Sequence, residues 1–391
     1  MKRLSAIAHM PPSPIRRIYE KAILMEDVIF FSLGEPDFDT PSQVVEAAVT
    51  SLRRGDTHYT PNAGLPELRA AIADNLRAWD GICYDPAGEI AVTSGGMEGL
   101  VLALLALVDP GDEVILPDPS YTNYRDQVRI CRGVPVYVPV READDFQFDP
   151  SALERAITEK TRVILLNTPA NPTGGVASRE RLEAIARVAV KHDLWVLFDE
   201  VYKYLFYSDA PFFNIAASPG MRERTLVIDS CSKTYAMTGW RVGWVAGPAS
   251  VVGCIPKIQE NLCSCVPAFV QQGALCALRT AKADVARMNA AYRARRDVIV
   301  QGINAIPGLS ARTPEGAFYL FVNIRETGLS SEDFAMRLLE EERVALSPGS
   351  AFGPSGEGYV RIAYPSDESI LREGIRRIAA FMEKLRSEDR Q

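Results

Sequence analysis

Three apolar, strand-like runs of the sequence each lead directly to side chains that can do chemistry. The run VILLN leads to Asn171, and WVLF leads to Asp199 and Tyr202. The run LVID leads to Ser230 and Lys233. Because the carboxyl ends of parallel strands share one edge of a sheet, an amide, a carboxylate, a phenol, a hydroxyl and an amine are expected to meet in one crevice.

A glycine-rich turn adds a further group to this edge. Ser94, Gly95, Gly96 and Met97 follow another strand-like run and precede a helical pattern. The backbone N–H groups at such a helix start can bind a phosphate. An amine, a carboxylate and a phosphate cradle in one pocket match pyridoxal 5'-phosphate, whose binding sites supply a lysine for the aldehyde and an aspartate for the pyridinium nitrogen.

The elements that position these residues alternate between strands and helices. Helical periodicity is clear at 67–79, 99–108 and 179–192, between apolar runs of strand length. Such alternation predicts an α/β fold with a mostly parallel seven-stranded sheet between helices. We predict its strands at 89–93, 113–116, 134–140, 163–167, 195–198, 226–228 and 242–246.

The pattern changes after about residue 281. A long helical pattern at 285–305, a strand near 317–323, a charged helix at 331–342 and a final strand and helix within 359–385 predict a smaller α+β domain. The predicted division is an N-terminal arm with part of the small domain (1–41), a large cofactor-binding domain (42–281) and a small C-terminal domain (282–391).

Seven motifs occur in order along the chain. They are GEPDF at 34–38, YTPNAG at 59–64, the glycine-rich turn, NPTG at 171–174, DEVY at 199–202, SKTYAMTGWRVGW at 232–244 and VRI at 360–362. In this set the chain resembles the fold-type I aminotransferases of class I and II, the aspartate aminotransferase superfamily, over nearly its whole length. The resemblance implies the pyridoxal-phosphate-dependent transferase fold. It also implies transfer of an amino group from an L-amino acid to a 2-oxo acid by a ping-pong mechanism.

The resemblance assigns the catalytic roles to Lys233, Asp199 and Tyr202. Lys233 forms a Schiff base with the cofactor and, once substrate displaces it, moves the proton between the substrate Cα and the cofactor. Asp199 keeps the ring nitrogen protonated. Tyr202 and Asn171 reach the phenolic oxygen of the ring and favour its ionised form.

The resemblance also implies contacts to the cofactor ring and phosphate. Tyr121 matches the aromatic residue that stacks on the ring, although Tyr124 is near enough in sequence to be confused with it. Tyr59 matches a residue that reaches the phosphate of the neighbouring subunit, which implies a homodimer with shared active sites. The remaining phosphate contacts are assigned to Gly95, Gly96, Met97, Ser230 and Arg241.

Substrate recognition is assigned chiefly to Arg361. It matches the arginine that holds the substrate α-carboxylate through two hydrogen bonds, with Gly34 and Asn171 assisting. For the substrate side chain the sequence offers only His58 and the segment 15–19 as lining. It identifies no cation for a side-chain carboxylate, so the amino donor stays open.

Composition restricts the partners. The 391 residues carry 43 Lys and Arg against 50 Asp and Glu, a net charge of −7, and contain no basic run that would favour nucleic acid. The apolar stretch 100–108 is shorter than the roughly 18 residues of a membrane span. The seven cysteines form no CxxC pair, so neither disulfides nor a metal site are expected. A cytoplasmic enzyme without nucleic acid, membrane or metal is expected.

Alternative functions differ in how far the residues exclude them. A lyase, either a C–S β-lyase or one of the aminocyclopropane-carboxylate synthase type, would use the same residues, because the cofactor supplies the electron sink in each case. A DNA-binding regulator is disfavoured because no basic face or added helix-turn-helix segment is evident. A dinucleotide enzyme is disfavoured because GGMEG at 95–99 does not fit GxGxxG.

Overall fold

The structure is a computed structural model that describes residues 4–10, 13–208 and 210–388. Residues 1–3, 11, 12, 209 and 389–391 lie outside it, so parts of the predicted terminal domains are outside the described residues. The strands are β1 Ile29–Phe30, β2 Ile90–Thr93, β3 Glu113–Asp118, β4 Val134–Pro139, β5 Thr161–Asn167, β6 Trp195–Asp199, β7 Thr225–Ser230, β8 Gly243–Ala246, β9 Ser310–Ala311, β10 Tyr319–Asn323, β11 Val344–Ala345, β12 Ser347–Pro348 and β13 Tyr359–Ala363. The helices are α1 Pro14–Ala22, α2 Ser42–Arg53, α3 Pro66–Asp80, α4 Gly96–Leu107, α5 Thr122–Ile130, α6 Pro150–Arg155, α7 Arg179–Lys191, α8 Cys231–Thr234, α9 Ala249–Val252, α10 Ile255–Glu260, α11 Ala268–Thr280, α12 Lys282–Asn304, α13 Ser331–Glu342 and α14 Glu368–Glu388.

A seven-stranded sheet, the large sheet, is built from β2 to β8. Its order is β2-β8-β7-β6-β5-β3-β4, and β8 alone runs antiparallel to its neighbours β2 and β7. The predicted α/β fold with a mostly parallel seven-stranded sheet is therefore confirmed. The strands read as continuous apolar runs because both faces of the sheet are covered, and in β7 all six residues are buried.

Alternate residues of the central strands serve two hydrophobic cores. Val163 and Leu165 of β5 belong to the core that contains the apolar residues of α4. Ile164 and Leu166 belong to the core that contains Ile185 of α7. Because successive side chains of a strand point to opposite faces, α4 and α7 cover opposite sides of the large sheet.

A second sheet of order β12-β13-β10-β9 is antiparallel throughout. With α12, α13 and α14 it forms the small core, in which Ile18, Ala22 and Phe31 from the N-terminal segment are also buried. β1 pairs in parallel with β11 on the same side of the molecule. The domain boundaries after residues 41 and 281 stay a prediction.

None of the helices in the described ranges is long and apolar enough to cross a membrane.

Candidate active site

A cavity of about 720 Å³ lies at the carboxyl ends of β5, β6 and β7. Its volume is within the roughly 300–1,000 Å³ of small-molecule sites. Of the predicted site residues, it is lined by Gly34, Gly96, Met97, Tyr121, Asn171, Asp199, Tyr202, Ser230, Lys233, Arg241 and Arg361. The topology thus brings together residues that are up to 327 positions apart, since Gly34 and Arg361 line one cavity.

Lys233 presents its amine to this cavity. It is half-buried, and its Nζ donates a hydrogen bond of 2.6 Å to the carbonyl oxygen of Gly34. No carboxylate of the described residues lies within 4.0 Å of the Nζ. Burial lowers the pKa of Lys233 to about 8, the charge of Glu35 opposes this, and those of Arg361 and Arg241 lower the pKa further. The amine is therefore easier to deprotonate than an ordinary lysine, as a nucleophile requires.

Asp199 at the end of β6 is buried and lines the cavity. Tyr124 donates a hydrogen bond of 2.6 Å to its Oδ2, and the backbone N–H of Val201 donates one of 3.2 Å to its Oδ1. Burial raises the pKa of Asp199 to about 6, while these hydrogen bonds lower it. A cationic ring nitrogen beside this carboxylate would favour its ionised form.

The sequence left open whether Tyr121 or Tyr124 stacks on the cofactor ring, and the structure gives Tyr124 another contact. Its hydroxyl is committed to Asp199, and it meets Tyr121 edge-on, with ring centroids 5.4 Å apart and an interplanar angle of 83°. Both tyrosines line the cavity, but only Tyr124 is hydrogen-bonded to Asp199. The stacking role of Tyr121 stays a prediction. Sequence reasoning did not connect Tyr124 with Asp199, because the residues are 75 positions apart.

Arg361 of β13 is a buried cation that also lines the cavity. Its Nη1 donates to Asn171 Oδ1 over 2.9 Å, and its Nη2 donates to the Ser32 carbonyl over 2.6 Å and to the Ser347 hydroxyl over 3.2 Å. Its Nε is buried and has no partner within the described part of the chain. Burial lowers its pKa, since no described carboxylate within 4.0 Å balances the charge. Such a site is suited to an incoming carboxylate.

Two aromatic hydroxyls meet beside Arg361. The Tyr202 hydroxyl lies 2.7 Å from the Tyr319 hydroxyl, and both side chains are buried. Tyr319 was not among the predicted site residues, since it lies 117 positions from Tyr202 and outside every motif.

The predicted phosphate site lies at the start of α4. Gly95 has a φ of +79°, and an added Cβ there would lie 2.5 Å from Arg241 Nη2. Arg241 has a φ of +57°, and its Nη2 also donates to the Ser94 carbonyl over 3.3 Å. Only glycine allows the guanidinium and the helix N-terminus to approach this closely. Together with the amine of Lys233 and the carboxylate of Asp199, this cradle fits pyridoxal 5'-phosphate.

A buried ionic cluster lies behind the cavity. The Nζ of Lys203 is 2.6 Å from Glu200, 3.2 Å from Asp80 and 3.4 Å from Asp229, and none of these side chains is more than 1% exposed. Glu200 follows Asp199, and Asp229 comes before Ser230, so the cluster joins the ends of β6 and β7. Although burial lowers the pKa of Lys203, the three carboxylates raise it well above its ordinary value.

Tyr59 and His58 lie away from this cavity. Tyr59 is 90% exposed, and with His58 it lines a separate surface depression that also includes Phe269. Ile15 and Tyr19 from the segment 15–19 do line the main cavity. Tyr59 therefore makes no contact with the site of its own chain, and its predicted contact with a neighbouring subunit stays a prediction.

Comparison with known proteins decides the family. Residues 26–378 match the model of the family described as aminotransferase class I and II. The chain belongs to this family. It is 42% identical to the aspartate aminotransferase of Pyrococcus abyssi over 94% of this chain and 95% of that one. It is 40% identical to aromatic-amino-acid aminotransferase 2 of Thermococcus litoralis, over 95% and 96% of the two chains.

A solved structure shows the same fold for nearly the whole chain. The aspartate aminotransferase of Thermus thermophilus with maleate superposes with a TM-score of 0.93 at 37% identity, covering 97% of this chain and 100% of that one. This class I and II aminotransferase therefore uses pyridoxal 5'-phosphate and transfers amino groups, as predicted. The comparisons do not support the lyase alternative.

Proposed function

We propose that this aminotransferase accepts L-amino acids with aromatic or large apolar side chains and passes the amino group to a dicarboxylic 2-oxo acid, with ping-pong kinetics. The observation that carries the proposal is an apolar wall on the cavity. Ile15 and Tyr19 of α1 and the following Ile23 are spaced four residues apart, and all three line the cavity, as does Leu33. One relative is named for aromatic amino acids, in line with the proposed donor, and another for aspartate, which carries a side-chain carboxylate like the proposed acceptor.

The residues act on the substrate from two sides in this proposal. Arg361 would bind the α-carboxylate and so orient the Cα–H bond toward the cofactor. Lys233, with its lowered pKa, would hold the cofactor through its amine and then take and return the proton at Cα. When bound, pyridoxal phosphate supplies an electron sink for the charge left on Cα. Asp199 would fix the protonation of the ring nitrogen.

A dicarboxylic acceptor needs a second cation, and the described cavity lining offers Arg16. Lys233, Arg241 and Arg361 have proposed roles, which leaves Arg16 as the other Lys or Arg that the described cavity lining contains. Its Nε is 2.9 Å from Glu20 Oε1, and the two side chains are 73% and 59% exposed. Because an exposed ion pair contributes little free energy, a substrate carboxylate can replace Glu20.

A half-reaction screen tests the donor range. Each common amino acid is added to the yellow holoenzyme, and loss of the cofactor absorbance is followed in stopped flow. We expect phenylalanine, tyrosine, leucine and methionine to react at rates that equal or exceed that of aspartate. Reaction with aspartate and glutamate alone would contradict the proposal.

The variant Arg16→Met tests the acceptor. We expect the KM for 2-oxoglutarate to rise several-fold while the KM for phenylpyruvate stays unchanged, because only the first carries a side-chain carboxylate. Arg17→Met is the matched control, since Arg17 pairs with Glu332 on α13 and does not line the cavity. An equal effect of both variants on both acids would remove Arg16 from the proposal.

We further propose a homodimer in which Tyr59 reaches the partner's phosphate site. Its support is the 90% exposure of Tyr59 together with the exposed Leu52 and Leu262. Sedimentation equilibrium of the holoenzyme should give twice the chain mass of 43.0 kDa. Tyr59→Phe should weaken pyridoxal phosphate binding several-fold without changing that mass. A monomer with full activity would contradict the arrangement.

A further inference from the structure

Tyr319 occupies a central position in the site without belonging to any motif. It lies on β10 and is 1% exposed. Its hydroxyl is 2.7 Å from the Tyr202 hydroxyl, which lies beyond the end of β6. A buried phenol pair inside the cavity therefore links β10 to the segment that follows β6 of the large sheet.

The ring of Tyr319 makes a second contact. The guanidinium carbon of Arg361 lies 4.6 Å from the centroid of this ring, within the range of a cation–π interaction. The hydroxyl also approaches Gly34 so closely that an added Cβ on Gly34 would collide with it. Gly34 in turn accepts the hydrogen bond of Lys233. One side chain thus contacts the residue proposed for the α-carboxylate and the residue proposed for the ring oxygen.

The proton count of the phenol pair fixes its direction when the site is loaded. Each phenol has one proton to donate. If Tyr202 donates its proton to an anionic oxygen of the cofactor, the hydrogen bond between the two phenols must use the proton of Tyr319. Hydrogen bonds in a chain polarise one another, so donation from Tyr319 makes Tyr202 a stronger donor.

We propose that Tyr319 is a positioning residue that sets the donor strength of Tyr202 through its hydroxyl and holds Arg361 through its ring. The inference rests on the proposed roles of Tyr202 and Arg361 in this aminotransferase. The hydroxyl and the ring therefore have separable effects. The charged and titratable groups around the phenol pair and Lys233 are Glu35, Tyr121, Asp199, Arg241 and Arg361.

The variant Tyr319→Phe removes only the hydroxyl. The holoenzyme is titrated between pH 5 and 10, and the midpoint of the absorbance change of the cofactor bound to Lys233 is measured. Because a weaker donor at Tyr202 stabilises the ionised ring oxygen less, we expect the midpoint to rise by roughly half to one pH unit. The dissociation constant of 3-phenylpropanoate, a carboxylate probe, should stay within about twofold of wild type because the ring remains.

The variant Tyr319→Leu removes the ring as well. Here the midpoint should rise as in Tyr319→Phe, and the dissociation constant of 3-phenylpropanoate should also increase roughly 3- to 10-fold. Tyr364→Phe is the matched control, since it removes another fully buried hydroxyl, bonded to the Ala317 carbonyl over 3.3 Å, from the same core. That control should change neither measurement.

Tyr202→Phe separates failure of this inference from failure of the proposed function. A raised midpoint in Tyr202→Phe with a wild-type midpoint in Tyr319→Phe would overturn the coupling and keep the role of Tyr202. Wild-type midpoints in both variants would overturn the coupling and the role of Tyr202 together. A shift of the same size in the control Tyr364→Phe would show that the effect is general to the core and would also overturn the coupling.

Discussion

Two lysines beside the same strand ends have opposite chemistry. Lys203 is fully buried, yet three carboxylates raise its pKa well above the ordinary value. Lys233 is only half-buried, yet burial lowers its pKa to about 8 because no described carboxylate lies within 4.0 Å of its Nζ. The charged partners of a lysine, more than its burial, therefore decide its pKa. A raised pKa keeps Lys203 charged in its ion pairs, and a lowered pKa makes the amine of Lys233 available for reaction.

The largest effect is expected for Lys233→Ala. Without the amine, the proton at Cα has no acceptor, so turnover should fall by at least about four orders of magnitude. The rate of amino acid consumption under single-turnover conditions measures this, and borohydride should no longer attach the cofactor covalently. The denaturant midpoint of the cofactor-free protein should not fall. Measurable turnover in the variant at more than a hundredth of the wild-type rate would contradict the assignment.

Lys203→Met, in contrast, should lower the stability of the fold. It leaves Asp80, Glu200 and Asp229 without a cation in a dry interior, which is expected to cost about 3 to 5 kcal/mol in the free energy of unfolding. Urea unfolding followed by circular dichroism measures the change. Lys191→Met is the surface control. Lys191 forms an exposed ion pair with Glu154, so its loss should change the free energy of unfolding little. Equal stabilities of the two variants would contradict a structural role for Lys203.

Arg361→Ala tests whether a second cation without a carboxylate partner serves the reaction, as is proposed for Lys233. Arg361 also lacks a carboxylate partner in the described structure, and we propose that the substrate supplies it. Losing this charged hydrogen-bonded pair should raise the KM for amino acids roughly 10- to 150-fold, with a smaller change in kcat. Steady-state kinetics with a saturating 2-oxo acid gives both values. A lower kcat with an unchanged KM would assign Arg361 to a different step.

The pH dependence of stability gives the smallest effect. In the cofactor-free protein the pKa of Lys233 is about 8 in the folded state, against about 10.4 in the unfolded chain. Between these values the unfolded chain binds more protons, so the free energy of unfolding should rise with pH, by about 2 kcal/mol from pH 8 to pH 10. Lys233→Met should lack this rise. If the free energy of unfolding rose equally with pH in both proteins, a group other than Lys233 would be responsible for the rise.

Much of the fold could be predicted because the large sheet is buried on both faces. Its strands are short apolar runs, and each ends where polar side chains begin, as at Asp199 and Ser230. The two-residue strands β1, β9, β11 and β12 gave no such signal, because they are too short for any periodicity.

Site residues that lie in motifs could be predicted from the sequence. Site residues that only the fold brings together could not. Lys233 and Asp199 lie in motifs that predicted them as site residues, and both line the cavity. Tyr319 and Tyr124 reach the site through packing of distant elements, and a buried tyrosine is an ordinary core residue by composition. Asp80 completes the cluster around Lys203 from the end of α3 in the same way.

The position of α1 has a consequence for how substrate range can change over time. This nine-residue helix supplies Ile15, Arg16 and Tyr19 to the cavity but packs against α13, β11 and β12 rather than against the large sheet. Substitutions on its cavity face can therefore alter which side chains are accepted while Lys233 and Asp199 stay on an unchanged scaffold. In the proposed function, exchange of this one short helix can therefore change the substrate range without any change in Lys233 or Asp199.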